Sequence, residues 1–468
     1  MAIACPAPSP PLPPLMPAIH RSLLCALLLG AAALASAAPR PVKVMIVSMV
    51  DQEAGLWSDA LQLRQAIAVP GLSPRFPLVR CNADDVCQMV TDMGKANAAA
   101  SVAAVVHSGL FDLRAAYFLV AGTGGIDPAA GSTGSAAWAR YLVDGDLAWE
   151  LDARERPAGW STGYLGINMR TPTDAPPLHY GTEMYRLNEG LLNQALALSR
   201  GVTLADAPAA QGFRARYGAA PANQPPQVRQ CDALTGNTRF HGALLGQRAR
   251  DWVRLLTAGQ GTYCITAQED NATYTALRRG AQAGLLDDQR VAVLRTASDF
   301  DRPPPGMTPL ESLTEDSGGY PIALRNLYLA GAPLVREIVA NWPRWQAGPP
   351  PDSATTAATP ASAAGAAAAI SATTSAASTA TDIAMPDHRT QAPAVPSAAA
   401  PYAPRIMIVN MFGAEAAPFV KGLRLGEKHL VPGVSARYPD MLCNRERVCQ
   451  LTTDMGYANA AASMTALL

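Results

Sequence analysis

An α/β sandwich around a mixed, largely parallel sheet is the fold class this sequence predicts, and three observations predict it. Short β-branched and aromatic runs alternate with Ala- and Leu-rich stretches at helical spacing. Such alternation builds a sheet covered by helices. Gly261 to Arg302 repeats this in miniature, as a strand, a helix entered through Glu269 and Asp270, and a second strand ending in Ser298-Asp299-Phe300-Asp301. Finally, Pro39 to about Gln346 is long enough to bury a substantial core.

In chain order, Val42 to Met49 reads as an apolar strand and Glu53 to Ile67 as a helix, ended by Pro70-Gly71. Arg75 to Arg80 and Val86 to Asp92 read as paired strands, and Lys95 to Val106 as an Ala-rich helix. Ala116 to Val120 is a buried strand running into Gly122-Thr123-Gly124-Gly125. Two or three strands follow between Ser135 and Ala148, then helices around Leu187 to Ser199 and Gly246 to Leu256. Tyr263 to Thr266 feeds the helix that opens at Glu269, Val291 to Thr296 is the next strand, and Pro321 to Asn341 closes the unit as a long helix.

Internal repetition sets the wider organisation. VMIVSMVDQEA at Val44 returns as IMIVNMFGAEA at Ile406, and CNADDVCQMVTDMGKANAAAS at Cys81 returns as CNRERVCQLTTDMGYANAAAS at Cys443, in constant register. Repeats this long mark whole domains, not solenoid units. We therefore expect an export signal in residues 1–38, a complete domain in 39–347, a linker in 348–402, and a truncated second copy in 403–468. The linker is Ala, Ser, Thr and Pro with few large apolar residues, so it cannot bury a core. The second copy has no counterpart of Glu269 or Asp299, and is expected to bind nothing alone. It should be poorly folded or docked on the edge of the main sheet.

Composition excludes several functions. The formal net charge is zero, so no basic patch points to nucleic acid or an anionic membrane. Met16 to Ala38 carries Arg21, an apolar core from Leu23 to Leu34 and the small residues Ala35-Ser36-Ala37, the pattern of a cleaved export signal. No run reaches the roughly 18 apolar residues of a membrane span. In an exported protein a Cys81–Cys87 disulfide fits a hairpin across the NADDV turn, and Cys231 with Cys264 is a candidate second pair, although four cysteines allow three connectivities. The six histidines do not cluster, so no metal site is expected.

Candidate site residues follow from the strand ends. Gly94 opens a helix whose free N–H groups can face an anion or a sugar hydroxyl. Gly122, Gly124 and Gly125 let backbone approach a ligand closely. Neither stretch matches a dinucleotide or Walker pattern. Glu53, Glu269 and Asp270 sit at helix entries and Asp299 just beyond a strand, where each also has the ordinary role of favouring or capping a helix.

The ordered blocks VMIVSMVDQEA, DMGKANAAAS, FLVAGTGGIDP, TAQEDNATYTAL and LRTASDFDRPP resemble the nucleoside phosphorylase and nucleosidase superfamily. ARYLVDGDLAWELDARERPAGWSTGY, GTEMYRLN, VRQCDALTGNTRFHG and GTYCITAQEDNAT narrow the resemblance to the purine nucleoside permease family. It implies a nucleoside-phosphorylase-like three-layer α/β sandwich with a mixed central sheet. It also implies that Glu269 holds the ribose hydroxyls, that Asp299 (with Ser298 beside it) protonates or hydrogen-bonds the purine, and that Glu53 orients water. Gly94 and Gly122 to Gly125 would line the ribose and anion side, and Phe300, Tyr164 or Tyr185 would stack on the base. Two departures stand out. Gln268 replaces the usual Met, and Met49-Val50-Asp51-Gln52-Glu53 replaces the phosphate loop, which favours hydrolysis, or binding without turnover, over phosphorolysis. The expected function is an exported purine-nucleoside-binding protein serving uptake and salvage, working with a separate membrane transporter and without a cofactor unless phosphate is a co-substrate. The alternative is a nucleosidase or, less favoured, a phosphorylase.

Overall fold

The computed structural model describes residues 38–174, 180–351 and 402–468, so the expected export signal and nearly all of the expected linker lie outside the described residues. The main module runs β1 (Val44–Ser48), α1 (Asp51–Ala60), β2 (Gln65–Ala68), β3 (Leu78–Cys81), β4 (Val86–Val90), α2 (Lys95–His107), β5 (Tyr117–Ile126), β6 (Ala136–Trp138), β7 (Tyr141–Asp144), β8 (Met184–Arg186) and α3 (Glu189–Ser199). It continues with β9 (Val228–Gln230), β10 (Asp232–Thr235), α4 (Ala243–Leu256), β11 (Tyr263–Ala267), α5 (Asp270–Gln282), β12 (Val291–Phe300) and α6 (Gly319–Ala340).

Side-chain alternation in the central strands creates three layers. Met45 and Val47 of β1, Phe118 and Val120 of β5, and Val291 and Val293 of β12 face one core, shared with Ala98, Val102, Ala276 and Leu277 of α2 and α5. Their neighbours Val44, Ile46, Tyr117, Leu119, Ala292 and Leu294 face the opposite core, shared with α3 and α6 and closed by Trp57 of α1. Helices cover both faces because both are apolar. The twelve strands form one mixed sheet in the order β8-β7-β10-β11-β5-β1-β4-β3-β2, and β12 pairs with both β5 and β6. β1, β4, β5 and β12 are parallel, while β11 meets β5 antiparallel at Ile265 and Ile126.

Three expectations are corrected. The helix expected over Glu53 to Ile67 stops at Ala60, since Gln62 turns the chain at positive φ and Gln65–Ala68 pairs with β3 as an edge strand. Sheet pairing there overrides a local sequence that tolerates a helix. The strand expected to end at Val120 continues through the glycines to Ile126, because β12 runs beside it up to Phe300.

The third correction concerns residues 402–468. They form β13 (Ile406–Asn410), α7 (Gly413–Gly422), β14 (Glu427–Leu430), β15 (Asp440–Cys443), β16 (Val448–Thr452) and α8 (Tyr457–Leu467). The strands make a separate sheet, β13-β16-β15-β14, over a small core of Val434, Met441, Leu451 and the Cys443–Cys449 disulfide. This segment does not extend the edge of the main sheet. It lies on α2 and α5 through α8, where Ala458 and Ala462 join the main core. Disulfides Cys81–Cys87 and Cys231–Cys264 are both formed.

Candidate functional site

The C-terminal ends of β1, β5, β7, β10, β11 and β12 open onto one cavity of about 440 Å³. Strand ends leave backbone groups and loop side chains free to meet a ligand, so an α/β sheet concentrates its chemistry there. Glu53, Glu269 and Asp299, far apart in the chain, all line this cavity, together with Gly124, Gly125 and Ser298.

Each carboxylate is held by a different device. Glu53, nearly buried in the first turn of α1, accepts from the Met49 amide at 3.1 Å and from the Thr123 amide and hydroxyl at 2.7 and 3.0 Å. It thereby joins the ends of β1 and β5. Glu269 stands at the N-cap of α5 and accepts from the Gly94 amide at 3.0 Å and from Arg295 Nη2 at 3.0 Å. Burial pushes its pKa up, against the opposing pull of Arg295 and the Gly94 amide. Asp299 is placed by a bulge: β12 pairs Ala297 with Gly124 and Asp299 with Gly125, leaving Ser298 as the extra residue. The Ser298 hydroxyl donates to the Gly124 carbonyl at 3.2 Å.

Arg295 organises the acids. Its side chain is 3 % exposed; Nε donates to Asp270 at 3.0 Å, Nη1 to the Thr123 carbonyl at 2.9 Å, and Nη2 to Glu269. Burial would lower its pKa, but Asp270 and Glu269 reverse this and raise it. Asp270 is fully buried on Arg295 and does not line the cavity. The two adjacent carboxylates read from the sequence therefore divide their tasks: Asp270 neutralises Arg295, and Glu269 faces the ligand space.

The glycines also divide. A Cβ on Gly124 would lie 2.0 Å from the Thr266 carbonyl, so β5 can meet β11 there only as glycine. Gly122 and Gly94 do not line the cavity, which corrects the expectation for both. Gly122 packs behind it, against Arg295 and Met49. Gly94, at φ +90°, aims its amide at Glu269, and the next amide, of Lys95, donates to Asn237 Oδ1 at 2.9 Å. The N–H groups expected to meet an anion are thus spent on holding the site.

Of the three aromatic candidates only Tyr164 lines the cavity, with the Arg248 guanidinium 4.5 Å from its ring centre. Tyr185 is buried against Tyr274 and shares a hydrogen bond with Thr275, and Phe300 is buried against Tyr217. Phe240 and Tyr320 line the cavity and were not anticipated. Nor was Arg239, which forms an ion pair with Asp299 at the cavity. Arg239 is more than half exposed. Arg239→Ala should therefore change stability by no more than about 1 kcal/mol in denaturant unfolding. The rear wall is fixed by Lys95, buried between Asp144 and Asp146, and by the Asn237 amide donating to Asp146 at 2.6 Å. Among the described residues no cluster of His, Cys, Asp and Glu could hold a metal, and no helix is long and apolar enough to cross a membrane.

Fold and cavity together define an α/β protein with a ligand site of small-molecule size, lined by carboxylates, guanidiniums and aromatic rings. A family model described as purine nucleoside permease matches residues 41–350 and 403–468, and the chain belongs to that family. It is 37 % identical over 306 residues to a purine nucleoside permease of Candida albicans, covering 64 % of this chain and 75 % of that protein. It is 38 % identical over 315 residues to a probable purine nucleoside permease of Schizosaccharomyces pombe, covering 65 % and 90 %. Similar solved structures include two 5'-methylthioadenosine/S-adenosylhomocysteine nucleosidases. The Neisseria meningitidis enzyme is 15 % identical, with TM-score 0.37, covering 64 % of this chain and 99 % of that one. The Campylobacter jejuni enzyme is 13 % identical, with TM-score 0.38 and the same coverage.

Proposed function

We propose that the cavity binds a purine nucleoside, with Glu269 accepting from the ribose hydroxyls and Asp299 facing the purine, and that the protein serves nucleoside uptake or salvage outside the cytoplasm. The observation that carries this reading is the convergence of Glu53, Glu269 and Asp299 on one cavity of about 440 Å³, within the roughly 300–1,000 Å³ of small-molecule sites. The names of the fungal relatives point to the same ligand class. Three disulfides suit an oxidising compartment, and a separate membrane transporter would complete an uptake route.

Charge favours a neutral ligand over a phosphorylated one. The lining carries five carboxylates (Glu53, Asp146, Glu150, Glu269, Asp299) against three guanidiniums (Arg239, Arg248, Arg295). Arg295 and Arg239 are already paired with acids. A phosphate group would meet more repulsion than attraction here.

Hydrolysis would add two demands to binding. Asp299, paired with Arg239, would have to deliver a proton to the base. Glu53, whose oxygens accept from the Met49 and Thr123 amides and the Thr123 hydroxyl, would have to orient water with its remaining lone pair. Breaking an N-glycosidic bond needs a proton donor at the leaving base. Mixing the protein with inosine or adenosine, with and without phosphate, tests this. Heat of binding with no free base is expected, and the monophosphates should bind more weakly. Free base without phosphate would assign a nucleosidase, and free base only with phosphate a phosphorylase. No heat with any nucleoside would remove the reading.

A further inference from the structure

We propose that the face formed by α2 and α5 is an interface between copies of this module, that residues 402–468 occupy it within the same chain in place of a second copy, and that this docking braces the cavity wall. The proposal does not depend on the ligand's identity.

The helix seated on that face is its own sequence relative. YANAAASMTAL of α8 parallels KANAAASVAAV of α2, and α8 packs against α2 as well as α5. The small sheet behind α8 has the strand order and sense of one end of the main sheet. β13-β16-β15-β14 matches β1-β4-β3-β2, parallel at the first pair and antiparallel at the others. Like ends of the two helices also lie together. The N-cap of α8, Gly456, faces Leu147, beside the Asp144 and Asp146 carboxylates that hold Lys95 at the start of α2. At the other end Gly433 lies against both His107 of α2 and Ala466 of α8. Two related helices side by side with matching ends are what a two-fold axis along the pair would produce, and two-fold pairing is the commonest way for identical chains to associate.

The contact is built like a subunit interface. Ala458 and Ala462 are buried in the same core as Ala98, Ala99 and Val102, small residues that let the helices approach closely. Arg279 of α5, 5 % exposed, crosses the boundary. It donates to the Asn459 carbonyl at 3.0 Å and the Ser463 hydroxyl at 2.6 Å, and it also bonds the Asn459 side chain. These partners sit where α2 carries Asn97 and Ser101, so a second module would offer Arg279 the same groups. Removing the segment would expose an apolar strip with a buried cation at its centre, a surface that asks for a partner. The connection to the ligand site runs through Leu147, which packs on Gly456 and lies between the cavity residues Asp146 and Ala148.

The test is sedimentation and light scattering of the full chain at micromolar concentration. Wild type should be monomeric. Ala462→Arg, which changes only the docked helix and puts a long cation where it meets the main core, should release the segment and double the mass, and adding Arg279→Glu should return it to monomer. A dimeric wild type, or a folded Ala462→Arg chain that stays monomeric, would overturn the proposal. A second route needs no core substitution: a protease site is placed in residues 352–401 and cut. The two pieces should travel together at monomer size, and the larger should reach dimer size once dilution strips the smaller. A larger piece that remains monomeric after losing the smaller would also overturn it.

Discussion

Arg295→Met is expected to destabilise the protein by about 3–5 kcal/mol, the usual cost of removing one partner from a buried ion pair. The size follows from what remains behind. Asp270 is fully buried and Glu269 nearly so, and both would lose the guanidinium that faces them. The Thr123 carbonyl would lose a donor as well. Urea unfolding measures the loss directly. The double variant Arg295→Met/Asp270→Asn should recover part of it, because the orphaned charge is gone while the shape is kept. A single variant within about 1 kcal/mol of wild type would show that the buried network does not hold the acids in place.

Glu269→Gln is expected to separate stability from binding. The amide keeps the shape and one acceptor but loses the charge, and hydrogen bonds to charged groups are worth about 1.5–3 kcal/mol each. Nucleoside affinity should fall about 10- to 100-fold. Folding should weaken less than binding. The new NH2 must face the Gly94 amide or Arg295, but Asp270 still pairs with Arg295. Burial, which raises the Glu269 pKa, makes the charged form costly in the native state. For an acid raised in this way the stability contribution is fullest below its unfolded pKa and declines as pH rises through the native value. Binding runs in the opposite direction. The charged carboxylate is the better acceptor, so affinity should drop on acidification, starting at a higher pH than an ordinary glutamate would cause. Titration calorimetry across pH on wild type and Glu269→Gln checks both statements, since the variant should lack that acid limb. A variant that binds like wild type at every pH would remove Glu269 from the site.

Much of this arrangement is legible in the sequence, because the strands that carry it are read by composition alone. β1, β11 and β12 are β-branched and apolar, and their ends deliver Glu53, Glu269 and Asp299 to the cavity. Arg295 was legible in principle. A lone charge inside VAVLRTA must find a buried partner, and the adjacent Glu269 and Asp270 were the obvious acids. Gln65–Ala68 was not, since its strand character comes from pairing with β3 and not from its residues. Arg239 and Phe240 reach the cavity from the loop after β10, whose path no local pattern specifies. The seat of α8 on α2 and α5 depends on Arg279, a helical arginine that sequence alone assigns to solvent.

The central claim is that three distant acids surround one nucleoside, and a crystal structure of the protein soaked with inosine tests it most directly. The ribose hydroxyls should lie within hydrogen-bond distance of Glu269 and the base beside Asp299, with Arg239 displaced from its ion pair or sharing it. Inosine bound elsewhere, or density in this cavity with the ribose turned away from Glu269, would contradict the account.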